Sequence, residues 1–153
     1  VFGSSNIVIS SRLIEGEYPD YEKIIPKSAL VTVLIDKEEL LRAVKLAAVF
    51  ARESANIVKI KLFEGGISVA AESGQSGSQE TKVDAKVSGP EINSGSKKEF
   101  EISFNYKFLE DFIGSVKGEE IKIEFTTPDK AGVFLDTSTP DYIHLIMPVR
   151  VQG

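Results

Sequence analysis

The residues able to do chemistry are few, and their spacing is poor for it. His144 is the only histidine, and the 153-residue chain has no cysteine. A lone imidazole becomes a general base only when a serine and a carboxylate converge on it around a strained nucleophile turn. No G-x-S-x-G occurs in the sequence. His144 lies between Ile143 and Leu145 in a strand-like run, where a structural hydrogen bond is the plain reading. Zinc asks for several His or Cys ligands, so no metal site is expected. The carboxylate pairs Glu38-Glu39 and Glu119-Glu120 are adjacent in sequence. Adjacent side chains on a helix or strand point apart, so both pairs read as solvated surface charge. Asp36 and Asp129 lack the Asx-rich loop that calcium uses. Gly65-Gly66 reads as a hairpin turn, and no phosphate-cradling glycine loop is present. No catalytic residue and no cofactor is expected; an enzyme is the least supported reading.

Binding chemistry is better represented. Arg42, Lys45 and Arg52 fall on one side of a helical pattern, opposite Leu40, Val44 and Ala47. They form either an ordinary solvated face or a phosphate-facing stripe. The net charge of −5 confines any nucleic-acid contact to such a local stripe. The absence of cysteine fits a reducing compartment. Nothing approaches a membrane span or a basic, then apolar leader. The chain opens on Val1-Phe2-Gly3 without Met, and a fragment of a longer protein is expected.

The elements that position these residues come from periodicity. Residues 6–13 read as a strand, and Tyr18-Pro19-Asp20 as a turn or extended piece. Residues 21–25 suggest one helical turn closed by Pro26, with Lys27-Ser28 a linker. Leu30–Ile35 is β-rich. Asp36 caps a helix over 36–52, with Glu38 and Glu39 in its first turn. Strands follow near 57–63, 67–71 and 80–87, with a hairpin tip at 73–78. The polar stretch 88–98 is an exposed connection. The pattern then recurs: a strand over 99–104, a helix over 106–116 capped by Asn105, and strands at 120–125, 132–135 and 142–147. Phe108, Leu109, Phe112, Ile113 and Val116 are expected to face inward, and Gly118 marks the helix's end. Residues 29–88 and 98–148 therefore each read β-α-β-β-β. The expectation is an α+β domain of two such modules, with sheet on one side and both helices on the other.

Four segments carry a family resemblance: Leu13–Tyr21, with its G-x-[FY]-P-D-Y string; Ile24-Ile25-Pro26; Phe104–Leu109; and Ile146–Arg150, with M-P-x-R. In this order the chain resembles the bacterial DNA polymerase III beta subunit, the replicative sliding clamp, over nearly its whole length. The resemblance implies the DNA-clamp (processivity) fold. Residues 1–27 would be the tail of the second clamp domain and interdomain linker, and 28–153 the third domain. It implies a head-to-tail homodimeric ring sliding on duplex DNA in the bacterial cytoplasm, at the nucleoid. Partners would be the DNA polymerase III alpha subunit, the clamp loader and repair polymerases, each bringing a linear clamp-binding motif. The rival function is a stand-alone protein-interaction or inhibitory domain that uses the same pocket without encircling DNA.

The resemblance also assigns residues. The peptide pocket would use Pro19, Lys23 and Ile24, then Leu145, Ile146, Met147, Pro148, Val149 and Arg150, with Asn105, Phe108 and Gly132 toward a second subsite. Composition alone favours a core strand and a frayed tail there. An apolar concavity with a flexible methionine suits varied Leu- and Phe-containing ligands. Lys23 stands where the family often has arginine, keeping charge but losing the planar fork. Residues completing the pocket precede Val1, so weak or no peptide binding by this chain alone is expected. Arg42, Lys45 and Arg52, with Lys107 and Lys117, would face DNA. Val49, Phe50 and the strand from Ile57 to Lys61 would meet the partner subunit. That strand is expected to present an exposed edge, leaving this chain a monomer or non-natively associated.

Overall fold

The computed structural model describes residues 2–16, 20–26, 28–74, 77–89 and 100–150. Strands β1 (Phe2–Ser4) and β2 (Ile7–Ile9) form a two-stranded antiparallel sheet of their own. The strand expected over 6–13 is thus three residues long. Residues 10–15 have no strand partner, and an extended segment without a ladder leaves its backbone to water. A 3-10 turn covers Tyr21–Lys23.

The main body runs β3 (Val31–Asp36), α1 (Lys37–Ala51), β4 (Ile57–Phe63), β5 (Gly66–Ser73), β6 (Gly77–Ser88), β7 (Phe100–Asn105), α2 (Tyr106–Ser115), β8 (Glu120–Phe125), β9 (Gly132–Asp136) and β10 (Ile143–Ile146). The two β-α-β-β-β modules are therefore present. Their eight strands form one curled antiparallel sheet in the order β10-β9-β8-β3-β6-β5-β4-β7. Each module's first strand pairs with the other's second: β3 with β8 and β7 with β4. The two modules are interlocked, and the internal symmetry extends to single bonds. The Lys37 N–H donates to the Glu119 carbonyl (2.8 Å), and at the equivalent place the Tyr106 N–H donates to Asn56 (2.9 Å).

Both helices start where side-chain chemistry says they should. The Asp36 carboxylate accepts the Glu39 N–H at 2.9 Å, and the Asn105 amide oxygen accepts the Lys107 N–H at 3.0 Å. Each cap satisfies a donor that the first turn leaves orphaned. Leu40, Ala43, Val44, Ala47, Ala48 and Ala51 of α1 and Tyr106, Leu109, Phe112 and Ile113 of α2 are buried. They meet the inward rows of the sheet in one core. The small alanine face lets α1 approach the sheet closely.

Four phenylalanines stitch the second module together. The Phe134 ring lies 5.6 Å from Phe104, 5.5 Å from Phe112 and 6.3 Å from Phe125. Gly132 makes room for them: a Cβ there would stand 2.8 Å from Phe134, 3.0 Å from Phe125 and 3.1 Å from Phe104. Three sequence expectations are corrected. Phe108 is 54% exposed, because Tyr106, Leu109, Phe112 and Ile113 take the inward face of α2. β4 is no edge, since β5 and β7 pair with it on both sides. The hairpin turn lies at Glu64-Gly65, with Gly65 at φ +86°, and Gly66 already belongs to β5.

Candidate functional site

The α1 face turned away from the sheet holds Arg42 and Lys45, and Arg52 is the helix's C-cap; all three are exposed. Arg42 pairs with Glu39 at 3.2 Å, across two exposed side chains one helical turn apart. Such a pair is worth at most about 0.5 kcal/mol and leaves the guanidinium available. Leu46 and Val49 are exposed among these cations, at 47% and 60%. α2 contributes less positive charge than the sequence suggests. Lys107 is exposed, but Asp111 is also exposed and Glu110 half-buried on the same helix. Lys117 lies past the end of α2.

The C-terminal segment follows from strand alternation. In β10, His144 and Ile146 pair with Phe134 and Gly132 on the core side, while Ile143 and Leu145 face outward. His144 lies half-buried with its ring 5.2 Å from Phe112. Desolvation holds its imidazole below the ordinary pKa, against an opposing pull from Asp111. Past β10, Met147 is 60% exposed, Pro148 and Val149 are half-buried, and Arg150 is exposed. One backbone bond fixes this segment: Val149 N–H to the Ser103 carbonyl, 2.8 Å. An open groove beside it is lined by Glu101, Ile102, Ser103, Pro128, Asp129, Val149 and Arg150.

Because Ser103 is two residues from Asn105 on β7, that bond brings the C-terminal segment toward the start of α2, where Asn105 and Phe108 lie. Gly132 is in the core instead, under the phenylalanine rings. Ile24 is 44% exposed, and Lys23 is paired with Asp20 at 2.9 Å. Among the described residues no hydrogen bond or ion pair links Lys23 or Ile24 to residues 145–150. Pro19 lies outside the described residues. Of the proposed subunit contacts, Val49 is exposed, Phe50 is half-buried against the core, and Ile57 opens the interior strand β4.

Two features escaped the sequence reading. Asp136 is buried, and its carboxylate accepts the backbone N–H of Lys117 (2.8 Å), Gly118 (3.4 Å) and Ser138 (2.8 Å), plus the Ser138 hydroxyl (2.7 Å). The Ser138 hydroxyl leads these bonds in lowering its pKa to about 2. It ties the end of α2 to the β9–β10 turn; the Asp-x-Ser string was its signal. The second feature is the open flank of β6, whose signal was the alternating Ser78, Glu80, Lys82 and Asp84.

The sequence pattern described as "DNA polymerase III beta subunit, C-terminal domain" matches residues 22–150. The beta sliding clamp of Staphylococcus aureus is 28% identical over 151 residues, which is 98% of this chain and 38% of the relative. That of Proteus mirabilis is 27% identical over 156 residues, 97% of this chain and 40% of the relative. The chain thus spans about two fifths of the length of these curated relatives. Among solved structures, the DNA polymerase III beta subunit of Thermotoga maritima superposes with a TM-score of 0.81 at 25% identity, covering 92% of this chain and 36% of that one. The DNA polymerase sliding clamp of Bacillus subtilis gives 0.78 at 28%, covering 93% and 36%.

Proposed function

The chain belongs to the DNA polymerase III beta-subunit family, as that family's C-terminal domain, and from this premise we propose that it is one domain of a DNA-encircling processivity ring. Residues 28–153 form the third domain in this reading, and 1–27 the tail of the second with its linker. The separate β1–β2 sheet and the start of the main sheet at Val31 support that division. The role is to tether rather than to catalyse.

The observation that carries the reading is the placement of Arg42, Lys45 and Arg52 on the helix face opposite the sheet. Cations on helices, with strands behind them, suit a surface that follows phosphates without reading bases. Lys107 adds to it, offset by Asp111. The second role is a peptide pocket in which Leu145, Met147, Pro148, Val149 and Arg150 form one wall. Ile146 and Gly132 shape that wall from the core, Lys23, Ile24 and Pro19 border it, and Asn105 and Phe108 reach toward a second subsite. Its ligands would be linear motifs of the replicative polymerase, clamp loader and repair polymerases. Val49, with Phe50 and Ile57 behind it, would lie at the subunit contact of a homodimer working in the bacterial cytoplasm.

The test uses the full-length protein of which this chain is a part, loaded on nicked circular DNA. A ring stays on the circle and slides off once the DNA is linearised. Arg42→Glu with Lys45→Glu and Arg52→Glu should lower retention and flatten its salt dependence. Equal retention on circular and linear DNA would refute the encircling role.

A further inference from the structure

We propose, resting on the pocket reading above, that oxidation of Met147 to its sulfoxide switches peptide binding off, and that its reduction switches it on again. The chain has no cysteine, no tryptophan and one methionine. Two-electron oxidants act first on sulfur, so Met147 is the ready target in this sequence. It is 60% exposed, against 3% for its neighbour Ile146. A thioether open to water meets a dissolved hydroperoxide; a side chain in the core does not. The backbone is held on both sides of it. Ile146 pairs with Gly132 at the end of β10, and the Val149 N–H donates to the Ser103 carbonyl at 2.8 Å. Pro148, between them, has its φ fixed by its ring. The segment therefore has little freedom to turn Met147 away from the proposed wall it shares with Leu145 and Val149.

In the forward step a sulfur lone pair attacks one oxygen of a hydroperoxide. The S–O bond forms as the O–O bond breaks, and the departing oxygen takes up a proton to leave as water or an alcohol. Sulfur loses two electrons and the peroxide gains them. In the reverse step two thiols become a disulfide, and the oxygen leaves as water, which is the chemistry of the methionine sulfoxide reductases. The sulfoxide sets a strong acceptor where an apolar, adaptable side chain stood. Leu145, Pro148 and Val149 beside it carry no side-chain donor. An apolar ligand side chain that closes over Met147 therefore strips water from the new oxygen and gives it nothing in return. An acceptor buried unmet in this way weakens the ligand about tenfold.

The test uses the full-length protein of which this chain is a part. Fluorescence anisotropy follows a labelled synthetic peptide spanning the clamp-binding motif of the DNA polymerase III alpha subunit. Hydrogen peroxide is added in steps, and peptide mapping by mass spectrometry gives the fraction of Met147 carrying one extra oxygen. Affinity should fall about tenfold as that fraction nears one, and return after treatment with methionine sulfoxide reductases. Met147→Leu, whatever its own starting affinity, should lose none of it to peroxide. Unchanged affinity with Met147 fully oxidised overturns the proposal. So does a Met147 that peroxide leaves reduced, or a loss that persists in Met147→Leu. No binding before any treatment refutes the pocket itself, and this switch with it.

Discussion

Asp136 shows how much one buried carboxylate organises. It gathers three backbone donors and a hydroxyl from two separate turns. Its folded pKa of about 2 lies below the unfolded carboxylate value. A depressed carboxylate contributes stability that is complete above the unfolded pKa, near about 4, and lost as pH falls toward the folded one. Acid denaturation should therefore steepen between roughly pH 4 and pH 2, and Asp136→Asn should remove that part of the slope while lowering Tm at neutral pH. His144 works at a different pH. Its folded pKa is depressed by desolvation, so the neutral ring is the stable one. Stability it contributes is whole above about pH 6.5 and declines below it, a decline His144→Phe should abolish in urea titrations from pH 8 to 5. Phe134 is a packing residue with three ring neighbours. Phe134→Ala should cost about 3–5 kcal/mol in the same urea assay. The sequence marks Phe134 and His144 as strand positions and ends the strand one residue before Asp136, but it does not show which neighbours the sheet brings to them, because those lie on other elements.

At the level of elements, legibility tracked locality. Both helix starts were readable because Asp36 and Asn105 act on residues two and three positions away. Replacing either by Ala should cost about 1 kcal/mol, measured by chemical denaturation. The β8 boundaries and the repeat of the module were readable from period-two alternation. Strand order was not. The placement of β4 between β5 and β7, and of β6 with one flank half open, depends on pairings between residues far apart in sequence. Phe108 was misplaced for a related reason. The same stretch buries Tyr106, Leu109, Phe112, Ile113 and Val116, and only tertiary packing decides that Tyr106 rather than Phe108 completes the inward face.

For the whole molecule, the sign of the charge is less informative than its distribution. The chain carries a net −5, yet Arg42, Lys45 and Arg52 share one helix face. DNA affinity arising there should fall about linearly on a log–log salt plot, with a slope that drops by about 1 for each of these cations removed. Titrating duplex DNA into the full-length protein at several salt concentrations measures it; salt-independent binding would count against the stripe. The family was legible in the sequence because its short strings are spaced along the entire chain. The proposed peptide pocket draws its walls from residues 23–24 and 145–150, segments that no described bond joins.

The two modules end differently, and this affects how the molecule bears load. Equivalent positions in the two halves are Lys86, paired with Leu34 inside the sheet, and Val149, joined to Ser103 by a single bond after Pro148. β6 passes from β5 to β3 along its length and ends paired inside the sheet, whereas β10 is a four-residue outer strand. Tension applied at the carboxyl end therefore breaks the Val149 bond first and then peels β10 from β9 one rung at a time. The first module's final strand leaves only after losing its pairs with both β3 and β5. The duplicated body thus has a weak end and a strong end.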